Sequence, residues 1–339
     1  MDNWNLTGHE WAVQLLARDL TAGRLRHAYL FAGTPGIGKR TLALHFAQAI
    51  NCLHPAAGSP CGECRPCRLI AKGTHPDMPV IQAGQATREG RGSSESRTIK
   101  IEQVRELEQQ VALSPYEAGY RTPLLLRFHE ATAAAQNALL KTLEEPPPQV
   151  VLLLTADSPD LLLPTIVSRC QVLLMRPLAV TTVENTLRER GANAEQAALL
   201  AHLSGGRIGW ALKAATDETV LEQRNAQLEE MLRLLAAPAR DRRDFAEMLG
   251  KRGRLAAADT LELWQTWWRD VLLAASQAQA PLANVDQVEH IQHLAAALDP
   301  ASIHTFLRAL RATGQAIERN ANLRLALDVL LFDLPAVAA

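Results

Sequence analysis

The run Ala28-Tyr-Leu-Phe-Ala-Gly33, followed at once by Thr-Pro-Gly36-Ile-Gly38-Lys39-Arg40-Thr41, constrains the fold more than any other part of the chain. Five apolar residues stop at a glycine, a glycine-rich turn follows, and LALHFAQAI then has the spacing of a helix. Strand, glycine loop, helix opens a βα unit, and such units build a parallel sheet with helices on both faces. MPVI (78–81), PLLLRF (123–128) and VVLLLTA (150–156) supply further apolar runs. Helical spacing recurs over 9–26, in IKIEQVRELEQQVAL and in ATAAAQNALLKTLEE, the last stopped by Pro146–Pro148. Past Met175-Arg-Pro-Leu178 the strand-like runs end, and the chain turns Ala- and Leu-rich with helical periodicity. The expected architecture is α/β then all-α: an α/β domain over 1–176, a small helical domain over 177–218 and a helical domain over 219–339. The polar, Gly/Ser-rich stretch 84–98 reads as a mobile loop.

Gly33-x4-Gly38-Lys39 fits a phosphate-binding loop, in which backbone N–H groups wrap phosphate oxygens and the lysine adds a point charge. The plainer reading is an ordinary glycine-rich βα turn. The residue after the lysine should be Ser or Thr, whose hydroxyl holds Mg²⁺, but here it is Arg40. Thr41 lies one residue on, about 100° round the helix. Hydrolysis also needs an acid ending a later apolar strand. PLLLRF ends on Leu126, Arg127 and Phe128, with Glu130 too far along, and His129-Glu130 reads better as the start of a loop than as an acid/base pair. Gly33, Gly36, Gly38, Lys39, Arg40 and Thr41 therefore make a degenerate nucleotide loop, which argues against productive ATP binding.

Four of the five cysteines fall in one segment, Cys52-x8-Cys61-x2-Cys64-x2-Cys67. No basic stretch followed by an apolar run opens the chain, and no segment reaches the ~20 apolar residues of a membrane helix. A cytoplasmic protein with no membrane is the expectation, and there clustered thiols favour a metal over disulfides. Four thiolates suit structural Zn²⁺ in a module spanning about 52–67, and an iron–sulfur cluster or redox-active pairs are the other options. Cys170 stands apart as a buried thiol, and Ser168-Arg169 beside it reads on its own as surface. Lys+Arg 35 against Asp+Glu 36 removes the easiest argument for a chain that grips nucleic acid by itself. Trp264, Trp267 and Trp268 favour a packed core over an interface.

Together, G-x-x-G-x-G-K, the cysteine spacing, THPD (74–77), Asn137–Pro147 (NALLKTLEEPP) and Ser168-Arg169-Cys170 resemble the bacterial DNA polymerase III clamp-loader family over roughly residues 10–215. The resemblance implies an AAA+ P-loop (RecA-like) domain with a zinc module, a helical lid and a helical collar that oligomerises. It also implies a hetero-pentamer of delta and gamma/tau-type subunits that loads a sliding clamp on primer–template DNA during replication. The family's gamma/tau motors carry Thr or Ser where Arg40 stands, an Asp-Glu pair near 126–127, and a lid arginine where Gly209 stands. The chain also lacks a long tau-like extension. These departures resemble the non-hydrolysing delta-prime branch. In that branch Arg169, with Ser168, is implied to act in trans as an arginine finger on a neighbour's ATP site. No ATPase or polymerase turnover of its own is expected, the polymerase (nucleotidyltransferase) activity belonging to the complex. Two alternatives remain: an active gamma/tau-like ATPase with Thr41 or Glu130 standing in, and a zinc-dependent DNA-binding module with a relic P-loop.

Overall fold

Five strands, β1 (Ala28–Ala32), β2 (Val80–Ile81), β3 (Leu124–Leu125), β4 (Leu152–Ala156) and β5 (Gln171–Leu174), form one sheet in the order β2-β3-β4-β1-β5 with every pair parallel. The computed structural model describes residue 4 and residues 6–84, 98–318 and 321–335, so most of the stretch 84–98 expected to be mobile lies outside the described residues. The sheet belongs to a compact unit made of residues 1–182 and 207–209. Helices α1 (Glu10–Thr21), α2 (Lys39–Asn51), α3 (Arg65–Ala71), α4 (Ile101–Val111), α5 (Ala133–Glu144) and α6 (Pro164–Val167) complete it.

Every residue of β1 and β4 is buried, as a strand covered on both faces requires. Their side chains alternate between two cores. Tyr29, Phe31 and Leu153 pack with Leu16, Leu42 and Phe46 of α1 and α2, whereas Leu30, Leu152 and Leu154 pack with Val104 and Leu139 of α4 and α5. The AYLFA and LLLTA runs thus form strands where the sequence predicts them. PLLLRF keeps only two strand residues: Arg127 takes a left-handed conformation (φ 50°) that turns the chain into a 3-10 turn, Phe128–Glu130. MPVI is likewise cut to two residues by the turn at 75–78, where the Met78 amide bonds to the His75 carbonyl. The edge strand β5 was no part of the sequence expectation. Two of its four residues are exposed, so its pattern lacks the continuous apolar run that marks β1 and β4.

Register fixes what stands at the carboxyl ends of these strands. Ala32 of β1 lies opposite Ala156 of β4 and Leu174 of β5, so the next residues, Asp157, Gly33 and Met175, come side by side. A Cβ on Gly33 would meet the Met175 carbonyl oxygen at 2.5 Å, so glycine is required there.

The second unit holds residues 183–206 and 210–339. Helices α7 (Val180–Glu189), α8 (Ala194–Leu203) and α9 (Ile208–Thr216) precede α10 (Thr219–Ala236), α11 (Ala239–Arg252), α12 (Arg254–Ala275), α13 (Val288–Ala297), α14 (Pro300–Glu318) and α15 (Leu323–Phe332). Trp264, Trp267 and Trp268 of α12 are at most 1% exposed, which settles them as core. Trp268 meets the Phe306 ring edge-on at 5.1 Å, with Leu310 and Leu330 in the same core. Among the described residues no helix is long and apolar enough to cross a membrane.

Candidate functional site

The loop between β1 and α2 sits at the carboxyl end of the sheet, where open α/β sheets bind ligands. Gly36 and Gly38 take positive φ (76° and 106°), the loop shape that a glycine-rich phosphate cradle needs. Its lysine and several of its carbonyls, however, bond within the protein. Lys39 Nζ donates to the Gly33 carbonyl, to the Thr34 carbonyl at 3.1 Å and to Asp157 Oδ1 at 2.7 Å. The Gly209 amide donates to the Gly36 carbonyl at 2.7 Å, and a Cβ on Gly209 would stand 2.8 Å from that oxygen. Buried His9 places its Nε2 3.2 Å from the Ile37 carbonyl, and burial holds its pKa down. Arg40 and Thr41, the residues at and after the expected magnesium position, are both exposed.

Asp157 was not singled out by sequence, although a carboxylate directly after an apolar strand is a signal that could have flagged it. Its Oδ2 lies 3.3 Å from His129 Nε2, and its own amide donates to His129 Nδ1 at 3.4 Å. Both contacts suit the tautomer with its proton on Nε2. Burial alone would raise the Asp157 pKa, but the His129 hydrogen bond and the Lys39 charge outweigh it and hold the carboxyl well below the usual range. Glu130 pairs with Arg127 at 2.8 Å, so His129 and Glu130 serve different partners.

Ser168 and Arg169 follow α6, a four-residue helix opened by Pro164. The Ser168 hydroxyl donates to the Thr165 carbonyl at 3.2 Å, closing its own turn. Arg169 donates through Nη1 to the same carbonyl at 2.9 Å and through Nη2 to Glu144 Oε1 at 2.7 Å. Its side chain is 35% exposed, and Glu144, from the LEEPP end of α5, is another residue the sequence reading left out. The neighbouring Cys170, expected to be buried, is only partly so, and desolvation still pushes its thiol up to about 12.

Cys52, Cys61, Cys64 and Cys67 converge, with all four Sγ atoms within 4.8 Å of one another. Tetrahedral zinc with Zn–S of about 2.3 Å needs sulfurs ~3.8 Å apart, so the set fits the ion with little adjustment. The Cys61 amide donates to Cys52 Sγ at 3.2 Å and the Cys64 amide to Cys61 Sγ at 3.3 Å, bonds that favour thiolate. Such amide donation from Cys64 and Glu63 lowers the Cys61 thiol to about 6, whereas burial raises those of Cys52 and Cys67. Gln48 of α2 fixes the module by donating to the Cys67 carbonyl at 2.7 Å.

Asp77 of THPD is wholly buried and accepts from the amides of Tyr116, Glu117 and Ala118 at 2.7–3.0 Å and from Arg121 at 3.1 Å. Burial would raise its pKa, but those amides and the guanidinium bring it below the ordinary value. Its task is to anchor the 116–121 segment, which also meets the cysteine module through Arg65–Glu117 at 3.1 Å.

The family profile described as DNA polymerase III, delta subunit matches residues 8–179, and that of its C-terminal region matches 220–335. The chain belongs to the DNA polymerase III delta-subunit family. The delta′ subunit of Pseudomonas aeruginosa is 44% identical over 144 residues, covering 42% of this chain and 41% of that one. The delta′ subunit of Bacillus subtilis is 32% identical over 212 residues, 62% of this chain and 60% of its own. The tau/gamma subunit of Haemophilus influenzae is 37% identical over 183 residues, 54% of this chain and 25% of that one. The chain thus spans from a quarter to three-fifths of these relatives, and it is delta′-like within the clamp-loader family.

Proposed function

We propose that this chain works as a delta′-type subunit of a clamp loader. It joins delta and gamma/tau-type subunits in a cytoplasmic hetero-pentamer that places a sliding clamp on primer–template DNA. Residues 177–218 act as its lid and 219–339 as its collar. It lends Arg169 to a neighbouring ATP site and turns over no nucleotide itself. Besides family membership, one contrast within the first unit carries this reading: Lys39 is 8% exposed with its ammonium turned onto Asp157, whereas Arg169 keeps a third of its side chain in solvent. A guanidinium so placed can stabilise charge on a transferring phosphoryl group. The absence of an acid at Leu126 and Arg127 supports the same conclusion.

The test is reconstitution with partner subunits and measurement of clamp- and DNA-stimulated ATPase. Arg169→Ala should lower turnover at the adjoining site by about 10³-fold, and undiminished turnover would remove the finger assignment. The isolated chain should hydrolyse no ATP, and turnover abolished by Lys39→Ala would instead support a gamma/tau-like motor.

Zn²⁺ is the ion proposed for the four cysteines, where it would tie the 52–67 module together and serve no catalytic step. Elemental analysis should find one equivalent per chain, reduced when Cys64 and Cys67 are replaced by Ser. A coloured protein would point to an iron–sulfur cluster. Salt-sensitive binding of primed DNA by the lone chain would favour the DNA-binding module instead.

A further inference from the structure

We infer that Asp157 is an internal anion standing where a nucleotide phosphate would otherwise sit, and that this carboxylate keeps polyphosphate out of the loop. The inference rests on the degenerate phosphate loop proposed above and names the residue responsible.

A lysine ammonium has three N–H donors and no acceptor. Those of Lys39 are directed at the Gly33 carbonyl, the Thr34 carbonyl and Asp157 Oδ1. A phosphate oxygen approaching Lys39 must therefore displace a partner already in place. Loop carbonyls are weak competitors for an ammonium, being neutral; a carboxylate is not, because charge-assisted bonds are roughly twice as strong. An incoming triphosphate would also bring further negative charge against Asp157.

Three features hold the carboxylate there. The β1–β4 register sets Asp157 beside Gly33, and the Gly33 amide donates to the Ala156 carbonyl at 3.2 Å. His129 takes its second oxygen and its amide. Being part of the chain, the carboxylate has no translational freedom to lose, whereas a free nucleotide does. Arg40 does not explain exclusion by itself, since amides and a lysine can hold phosphate without a magnesium hydroxyl. The loop has its glycines and its lysine, and that lysine already has an anion from its own chain.

The test uses the full chain as wild type, Asp157→Ala and Asp157→Asn, each also combined with Lys39→Ala. Binding of ATP is followed by equilibrium dialysis, with inorganic tripolyphosphate as competitor and circular dichroism to confirm folding. Asn is isosteric with Asp, so it keeps the site filled should the Ala variant fail to fold. Wild type is expected to show no saturable binding up to about 1 mM. Both Asp157 variants should gain binding by at least about tenfold, compete with tripolyphosphate, and lose the gain when Lys39 is removed. Folded variants that bind no better than wild type would overturn the inference while leaving a nucleotide-free subunit intact. Wild type that binds ATP as tightly as the variants would also overturn it. If wild type further hydrolyses the ATP, the degenerate-site reading falls as well.

Discussion

Lys39 and Arg169 are cations of one α/β domain, held in opposite ways. Lys39 stands at the start of a long buried helix and meets a carboxylate brought to it by sheet register. Arg169 follows a helix of only four residues and meets a carboxylate at the exposed end of α5. The first pair is shielded from water and strong; the second is solvated and cheap to part. A cation whose partner is buried is committed to its own chain, while one whose partner is exposed is available to another. On the function proposed above, that difference would let the chain forgo catalysis in its own loop and still supply a charge to a neighbour.

The comparison can be broken most sharply at Arg169. In the assembled loader Arg169→Lys keeps the charge but loses the planar fork, and ATPase should fall by about 10²–10³-fold. Arg40→Thr, which restores a hydroxyl at the magnesium position, should leave the isolated chain without turnover because Lys39 remains engaged by Asp157. Equal effects at the two positions would erase the contrast.

Stability offers the next test. Lys39→Met leaves Asp157 without its cation and should cost about 2–3 kcal/mol in urea denaturation, within the range for a charge-assisted hydrogen bond. Glu144→Gln, at the exposed pair, should stay within about 0.5 kcal/mol.

An acid series sharpens the buried side. The folded Asp157 carboxyl titrates below its unfolded value, so its stabilisation is fully present above the unfolded pKa of about 3.9. It is lost as pH falls towards the folded value. Urea midpoints taken at neutral pH and at pH ~3 should therefore drop further for wild type than for Asp157→Asn. Identical drops would mean that the carboxylate is not held as described.

Much of this was legible in the sequence because it is local. AYLFA and LLLTA are continuous apolar runs, and continuous runs mark strands covered on both faces. The glycine loop and the cysteine spacing state their geometry within a few residues, and the four thiols do converge. The partners of the two cations were hidden because they are remote. Lys39 and Asp157 are 118 residues apart, and Arg169 and Glu144 are 25 apart. Strand order and register decide those meetings, and neither can be read from spacing along the chain. The truncation of PLLLRF turned on the left-handed backbone at Arg127, a conformation that its side chain does not announce. Strand β5 escaped because an edge strand with two exposed residues has no clean period.

The indoles of α12 carry a practical consequence. Among the described residues, the Nε1 groups of Trp264, Trp267 and Trp268 meet no hydrogen-bond acceptor, and their rings lie in an apolar core. Half of the six tryptophans in the chain therefore act as dry chromophores in the second unit. A red shift in the emission of these three indoles would register loosening of that helical core. The core of the second unit thus carries its own optical reporter of melting.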